Sequence, residues 1–365
     1  MSFDFPDPAQ TPPRRPVAIK RRRTVLLPTV GVLIVLVLAF GLFAGFWTDW
    51  LWFRTTGYTT VIRTEILTKI GLFLGFGVAF AAVVIGNFAI AYRLRPTYQI
   101  PTPDAAVLER YRRSIEPFRR LIMIAGAIVL VLFAGSSASS AWRTWLQWRN
   151  RTSFGTKDPQ FGLDVSFYVF SLPWWRFMLG FAFAALVVSL VVSLVAHWLY
   201  GGLRPQAPSG QRTTAAARVH LSVLLGVFVL LKAVGYWLDR YSLATAGSTV
   251  GREEFTGLRY TDVNAVLPGK TILAVIAVIC AVLFFATAIT RSWLLPGVGV
   301  GLLVLSAVLV GGIYPAAVQY FQVRPSEPDR EAPYLTNFIA GTRTAYNIAD
   351  TQVQQYAAKT TATAG

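Results

Sequence analysis

The chain has 365 residues, of which 54% are hydrophobic, 14% aromatic and only 14% charged, and its mean hydropathy is +0.51. Soluble domains carry about 25% charged residues. The apolar residues here also stand in long uninterrupted runs, which excludes an ordinary soluble globule, a disordered chain and a disulfide-framed secreted domain. The formal charge of +17 has the size expected of a nucleic-acid binder. Its basic residues flank apolar segments, however, where they meet lipid headgroups and set orientation, so no nucleic-acid partner is expected. The single cysteine, Cys280, lies inside an apolar run, which excludes an intrachain disulfide and a thiolate metal cluster.

A helix needs about 20 apolar residues to cross a hydrocarbon core of roughly 30 Å. Seven segments qualify, which predicts an all-α polytopic transmembrane helix bundle. They are Val25–Phe46, Ile70–Tyr92, Leu121–Ala141, Phe177–Leu199, Val219–Leu238, Thr271–Ile289 and Trp293–Ile313. The first follows Arg14, Arg15, Lys20, Arg21, Arg22 and Arg23 and is too long for a cleaved signal, so it reads as a retained signal anchor. Basic residues concentrate in 1–24 and in 93–120, where seven arginines face three acidic residues. That density places the N-terminus in the cytoplasm, and seven crossings then leave the C-terminus outside. Nine of the eleven tryptophans fall at outer helix ends under this topology, the level that interfacial aromatics favour. The division expected is a basic cytoplasmic tail over 1–24, a membrane domain over 25–313 and an extracytoplasmic region from 314.

A faint repeat follows two spans. Trp47, Trp50, Leu51 and Arg54 follow the first, and Trp142, Trp145, Leu146 and Arg149 follow the third at the same spacing. Generic interfacial anchoring explains such a recurrence as well as a duplicated hairpin does. The stretches Trp142–Arg151 and Asp158–Pro173 interleave aromatics with charges and polar turns. Both are predicted to form short helices in the outer interface, with Trp142, Trp145 and Trp148 as candidate lipid contacts.

Four motifs together resemble one family. They are Asp49-Trp50-Leu51-Trp52-Phe53 with Gly57-Tyr58, Asp158-Pro159-Gln160-Phe161-Gly162 leading to Phe167-Tyr168-Val169-Phe170, Tyr260-Thr261-Asp262-Val263-Asn264, and the stretch from Val323 to Tyr334. The chain is similar to the uncharacterised integral membrane protein family 0182 of the UPF series. The resemblance implies a bacterial multipass plasma-membrane protein without an established activity. It also implies a large extracytoplasmic region beyond the last span, of which this chain would hold the start. The family supplies no catalytic residues.

Candidate chemistry is sparse. Lys232 lies within the fifth apolar run and is the candidate intramembrane polar site, because burying its charge is costly. Its stem is long enough to snorkel toward the helix end, where Asp239 and Arg240 follow. The alternative use is an ion or proton path. His197 and His220 sit at facing helix ends and could share a proton or a metal, but no carboxylate or cysteine nearby completes a ligand set, so they read as structural. Asp158, Asp164, Glu253, Glu254 and Asp262 match no calcium loop and read as solvated surface carboxylates. Gly41/Gly45, Gly71/Gly75 and Gly297/Gly301 have the spacing that packs helices in lipid. Asp329 is placed to cap a final helix carrying Leu335, Phe338, Ile339 and Tyr346 on one face.

No phosphate loop, zinc helix or nucleophile elbow is present, so no catalytic residue, metal or cofactor is assigned. The expected partners are membrane lipids and other envelope membrane proteins. An anchor or scaffold for an extracytoplasmic domain ranks first, a transporter or lipid-handling protein with a path between hairpins second, and a membrane enzyme last.

Overall fold

The structure is a computed structural model that describes residues 23–96, 103–208, 212–245, 256–290, 294–352 and 354. Among these residues it is all-helical, without a β-strand. Seven helical segments are long and apolar enough to cross a membrane, one for each predicted span. They are Pro28–Thr55, Thr59–Arg93, Glu109–Ser140, Phe167–Leu199, Ala215–Ser242, Asp262–Thr290 and Leu294–Ala345. The basic residues before Arg23, and Trp293, lie outside the described residues.

The chain divides into two compact units, Met1–Leu67 and Thr68–Gly365. In the first, helix α1 (Arg23–Thr55) runs past the predicted end at Phe46 and turns into α2 (Thr59–Arg93). Gly57, at φ +81°, ends α1, and the Tyr58 N–H bonds the Phe53 carbonyl at 2.9 Å. This six-residue closure needs a left-handed residue after the last helical turn, which glycine adopts without strain. The motif residues Gly57 and Tyr58 are therefore a helix stop.

The second unit holds the rest of α2, α3 (Pro103–Ile115), α4 (Arg119–Ser140), α5 (Trp142–Arg149), α6 (Leu172–Leu199), α7 (Ala215–Ser242), α8 (Leu267–Thr290), α9 (Leu294–Val308), α10 (Tyr314–Val318) and α11 (Glu327–Ala345). Pro117 has no N–H to continue α3, and Glu116–Phe118 tightens into a 3₁₀ turn before α4. Four π-helical turns interrupt the longer segments: Phe167–Ser171, Asp262–Val266, Leu309–Ile313 and Gln319–Val323. Each is followed, one residue on, by a proline: Pro173, Pro268, Pro315 and Pro325. A helical proline clashes with the carbonyl four residues back. Widening that turn by one residue moves the carbonyl aside.

Two apolar clusters hold the second unit. Phe80 and Val84 of α2 pack with Ala134 of α4 and Ala185 of α6. Val229 and Ala233 of α7 pack with Ala277, Cys280, Ala281 and Phe284 of α8. A Cβ on Gly77 would lie 2.8 Å from the Val131 carbonyl, and one on Gly135 would lie 2.7 Å from the Phe73 carbonyl. These two glycines let α2 and α4 touch backbone to backbone. The predicted pairs Gly71/Gly75 and Gly297/Gly301 have nothing within 4 Å of their Cβ positions, nor do Gly41 and Gly45 in the first unit. Within the second unit the close helix approach is made by Gly77 and Gly135 and not by the predicted pairs.

Two further expectations are corrected. Residues 158–164 form a loop and not an interfacial helix. It is closed by Asp158 N–H on the Leu163 carbonyl (2.8 Å) and turned by Gly162 at φ +65°. Asp329 does not cap α11: Ser326 holds the cap position without a side-chain bond, and the helical path from Leu294 to Ala345 continues through a 3₁₀ turn at Arg324–Ser326.

Candidate functional site

Buried charge concentrates at the end of the second unit where α8 begins and α11 lies. Arg259, Thr261, Asp262 and Glu331 are each less than a tenth exposed. The Asp262 carboxylate accepts the Arg259 N–H at 3.2 Å, which closes the turn into α8. Glu331 of α11 reaches back across 71 residues to accept the Tyr260 N–H at 3.1 Å. The Thr261 hydroxyl donates to the Gln319 side-chain oxygen. Asn264 donates to the Tyr334 hydroxyl at 3.3 Å, and Arg330 donates to the Tyr260 hydroxyl at 3.3 Å. The bonds from Glu331, Tyr334 and Arg330 fasten α11 to the segment that leads into α8. The solvated reading of Asp262 is thereby corrected: Asp262 is 3% exposed.

Asp158 and Asp164 are consumed by their own loop. Asp158 accepts the Phe161 N–H at 2.6 Å and the Tyr168 hydroxyl at 3.2 Å. Asp164 accepts the Ser153 hydroxyl and the N–H groups of Phe154, Gly155 and Ser166. The Ser153 bond, followed by those from Ser166 and Phe154, holds the Asp164 carboxyl well below the usual carboxylate range. Glu253 and Glu254 lie outside the described residues. Between this loop and one face of α11 runs a cleft of about 380 Å³, with Asp158, Gln160, Leu258, Tyr334 and Phe338 in its walls.

Lys232 is exposed, with Nζ 5.3 Å from the centre of the Tyr236 ring one turn along α7. The Lys270 ammonium lies 5.5 Å from the same ring. Lys270 also pairs with Asp239 at 3.1 Å, and Asp239 in turn accepts from Arg176 of α6 at 2.7 Å. Among the described residues no carboxylate lies within ion-pairing distance of Lys232.

Trp142, Trp145 and Trp148 are half-buried on α5. Trp145 and Trp148 pack on Trp174, itself 3% exposed, at 4.9 and 5.6 Å between ring centres. Lys69 and Arg143 sit over the Trp142 ring at 5.3 and 5.2 Å, and Arg151 over Trp148 at 5.3 Å. The aromatic row thus docks α5 on α6 and carries a cationic rim.

At the opposite end, His197 and His220 meet: His197 Nε2 lies 3.1 Å from His220 Nδ1. His220 Nε2 lies 3.3 Å from the Asn87 Oδ1 of α2. The Asn87 amide nitrogen donates to the Val83 carbonyl at 2.8 Å, which fixes its oxygen toward the imidazole. His220 must then donate from Nε2 and accept at Nδ1, so His197 must donate from Nε2. Both imidazoles are Nε2–H tautomers, tying α2, α6 and α7 in one direction. Gly202 makes room: a Cβ there would lie 2.9 Å from His197 Nδ1. Alongside, Glu116 accepts from Tyr92 at 2.8 Å and Arg119 at 2.9 Å, while Arg95 and Arg119 sit over the Tyr92 ring. Burial and the nearby Glu116 charge push the Tyr200 hydroxyl up. Sequence reading paired the histidines but missed Asn87, whose partner lies 133 positions away.

The sequence profile of an uncharacterised protein family, UPF0182, matches residues 26–365. The chain belongs to UPF0182. A UPF0182 protein of Streptomyces coelicolor is 55% identical over 341 residues, which cover 93% of this chain and 34% of that protein. UPF0182 proteins of Nocardioides sp. and Frankia casuarinae are each 48% identical, covering 94% and 97% of this chain and 34% of theirs. The chain spans about a third of the length of these UPF0182 relatives. No solved structure matches it.

Proposed function

We propose that this region is the membrane base of a larger cell-envelope protein. Seven spans would hold it in the plasma membrane with the N-terminus cytoplasmic, and α11 is the strut that carries the following chain outside. The observation that carries this reading is the buried Glu331–Tyr260 link. It makes α11 part of the folded unit and not a loose tether, so whatever follows α11 inherits a fixed orientation. The arginine-dense N-terminal tail and 93–120 segment support the orientation, and the Trp-rich end at α5 and α6 supports an interfacial level there.

Removing the Glu331 carboxylate strands a buried N–H, at a cost of about 1–3 kcal/mol. Glu331→Ala should therefore speed hydrogen exchange across α11 by about tenfold while leaving α7 and α8 protected. Equal exchange in α11 before and after the substitution contradicts the strut. At the functional level, a full-length relative whose residues equivalent to 1–313 are replaced by an unrelated multispan anchor should rescue a deletion strain only partly. Full rescue reduces the region to a passive tether, and no rescue assigns it an activity of its own.

A further inference from the structure

On α7, Phe228, Gly235 and Asp239 face α6, through the Phe183 ring at 5.3 Å, the Leu179 side chain and Arg176. Gly226, Val229 and Ala233 face α8, through Phe285 and the cluster around Cys280. At about 100° per residue, Lys232 and Tyr236 project between those two faces. They head the strip of α7 left between α6 and α8, a groove with those helices as walls. Leu225 lies on the same strip two turns farther along, and Phe228 lines its α6 edge. All four side chains are partly or fully accessible.

The top of this groove is cationic. Two ammonium groups, Lys232 and Lys270, crowd one aromatic ring, and a third cation, Arg176, joins Lys270 on the single carboxylate of Asp239. Three cations around one carboxylate leave surplus positive charge beside an apolar span, which calls for an anion. Of the two exposed cations Arg176 is held by Asp239, whereas Lys232 stands on the groove side. Apolar side chains directly below suit hydrocarbon. A phosphate with an attached acyl chain satisfies both parts, whereas a free anion satisfies only the first.

We propose that Lys232, Lys270 and the Tyr236 hydroxyl bind the phosphate of an anionic phospholipid, whose acyl chain lies along the α6–α8 groove over Phe228 and Leu225. This site is independent of the anchoring role. Lys232 is the specificity contact, because Lys270 is already engaged by Asp239.

The test is native mass spectrometry of the delipidated chain in detergent, titrated with phosphatidylglycerol, phosphatidylcholine or inorganic phosphate. Phosphatidylglycerol should bind about tenfold more tightly than phosphatidylcholine, the ratio that 1.4 kcal/mol represents. Lys232→Leu and Lys232→Gln should each abolish that preference, and Lys232→Arg should keep it. Both uncharged variants should unfold, without lipid, at the wild-type temperature. Equal binding of the two lipids, or an unchanged preference in both uncharged variants, overturns the proposal. Inorganic phosphate that competes fully with phosphatidylglycerol overturns the lipid assignment in favour of a free anion.

Discussion

Gly135→Ala should lower the thermal unfolding midpoint of the purified chain by about 2–6 °C, and Gly77→Ala should do the same. In each case the added methyl meets a backbone carbonyl at under 3 Å. A carbonyl cannot rotate away like a side chain, so α2 and α4 must separate along the crossing. Overpacking of this kind costs about 1–3 kcal/mol. Against it stands only the gain of about 0.5–1 kcal/mol that alanine brings to a helix over glycine. Gly71→Ala and Gly75→Ala are the controls: both sites are open, so the midpoint should hold or rise slightly. If all four variants behaved alike, the α2–α4 contact would be wrong.

His197→Ala should cost about 3 kcal/mol in reversible unfolding, from the emptied volume and from the acceptor stranded on His220. His197→Gln keeps an amide donor near the former Nε2 and should recover about half of that loss. Nitrogen NMR of labelled histidine should find both rings protonated at Nε2 near neutral pH. A proton at Nδ1 of either ring would reverse the hydrogen-bond direction deduced from Asn87. A glutamine variant no better than alanine would reduce the pair to packing.

The seven long apolar helices were legible because an apolar run of about 20 residues is recognised from its own composition, with no information about neighbours. Which face of each span turns inward was not. In water a helix marks its buried stripe by polarity, but in a membrane the lipid-facing side is as apolar as the interior. Gly71/Gly75 therefore drew attention by spacing, while Gly77, which meets the Val131 carbonyl of α4, carried no such sign. The π-helical turns had a visible sign in the repeated prolines, at Pro173, Pro268, Pro315 and Pro325, yet proline alone predicts a kink or an end as readily as a widened turn.

The polar sites divide in the same way. His197 and His220 flank one hairpin, 23 residues apart, so their meeting follows from the turn that joins their helices. Glu331 and Tyr260 are 71 residues apart, and nothing local announces their bond. Asp262 looked like a loop carboxylate because the sequence places it just outside an apolar run. Its burial depends on α10, α11 and the turn at Gln319–Val323 folding over it.

The proposed topology puts the basic head and α11 on opposite sides of the bilayer. Single cysteines introduced as Ser2→Cys and Thr351→Cys, each on a Cys280→Ala background, can be probed in intact cells with a membrane-impermeant maleimide. The expected result is labelling of the Thr351→Cys chain alone, with Ser2→Cys reacting only after the membrane is opened. Labelling of both in intact cells, or of neither, would put the two ends on one side and contradict the seven-span arrangement.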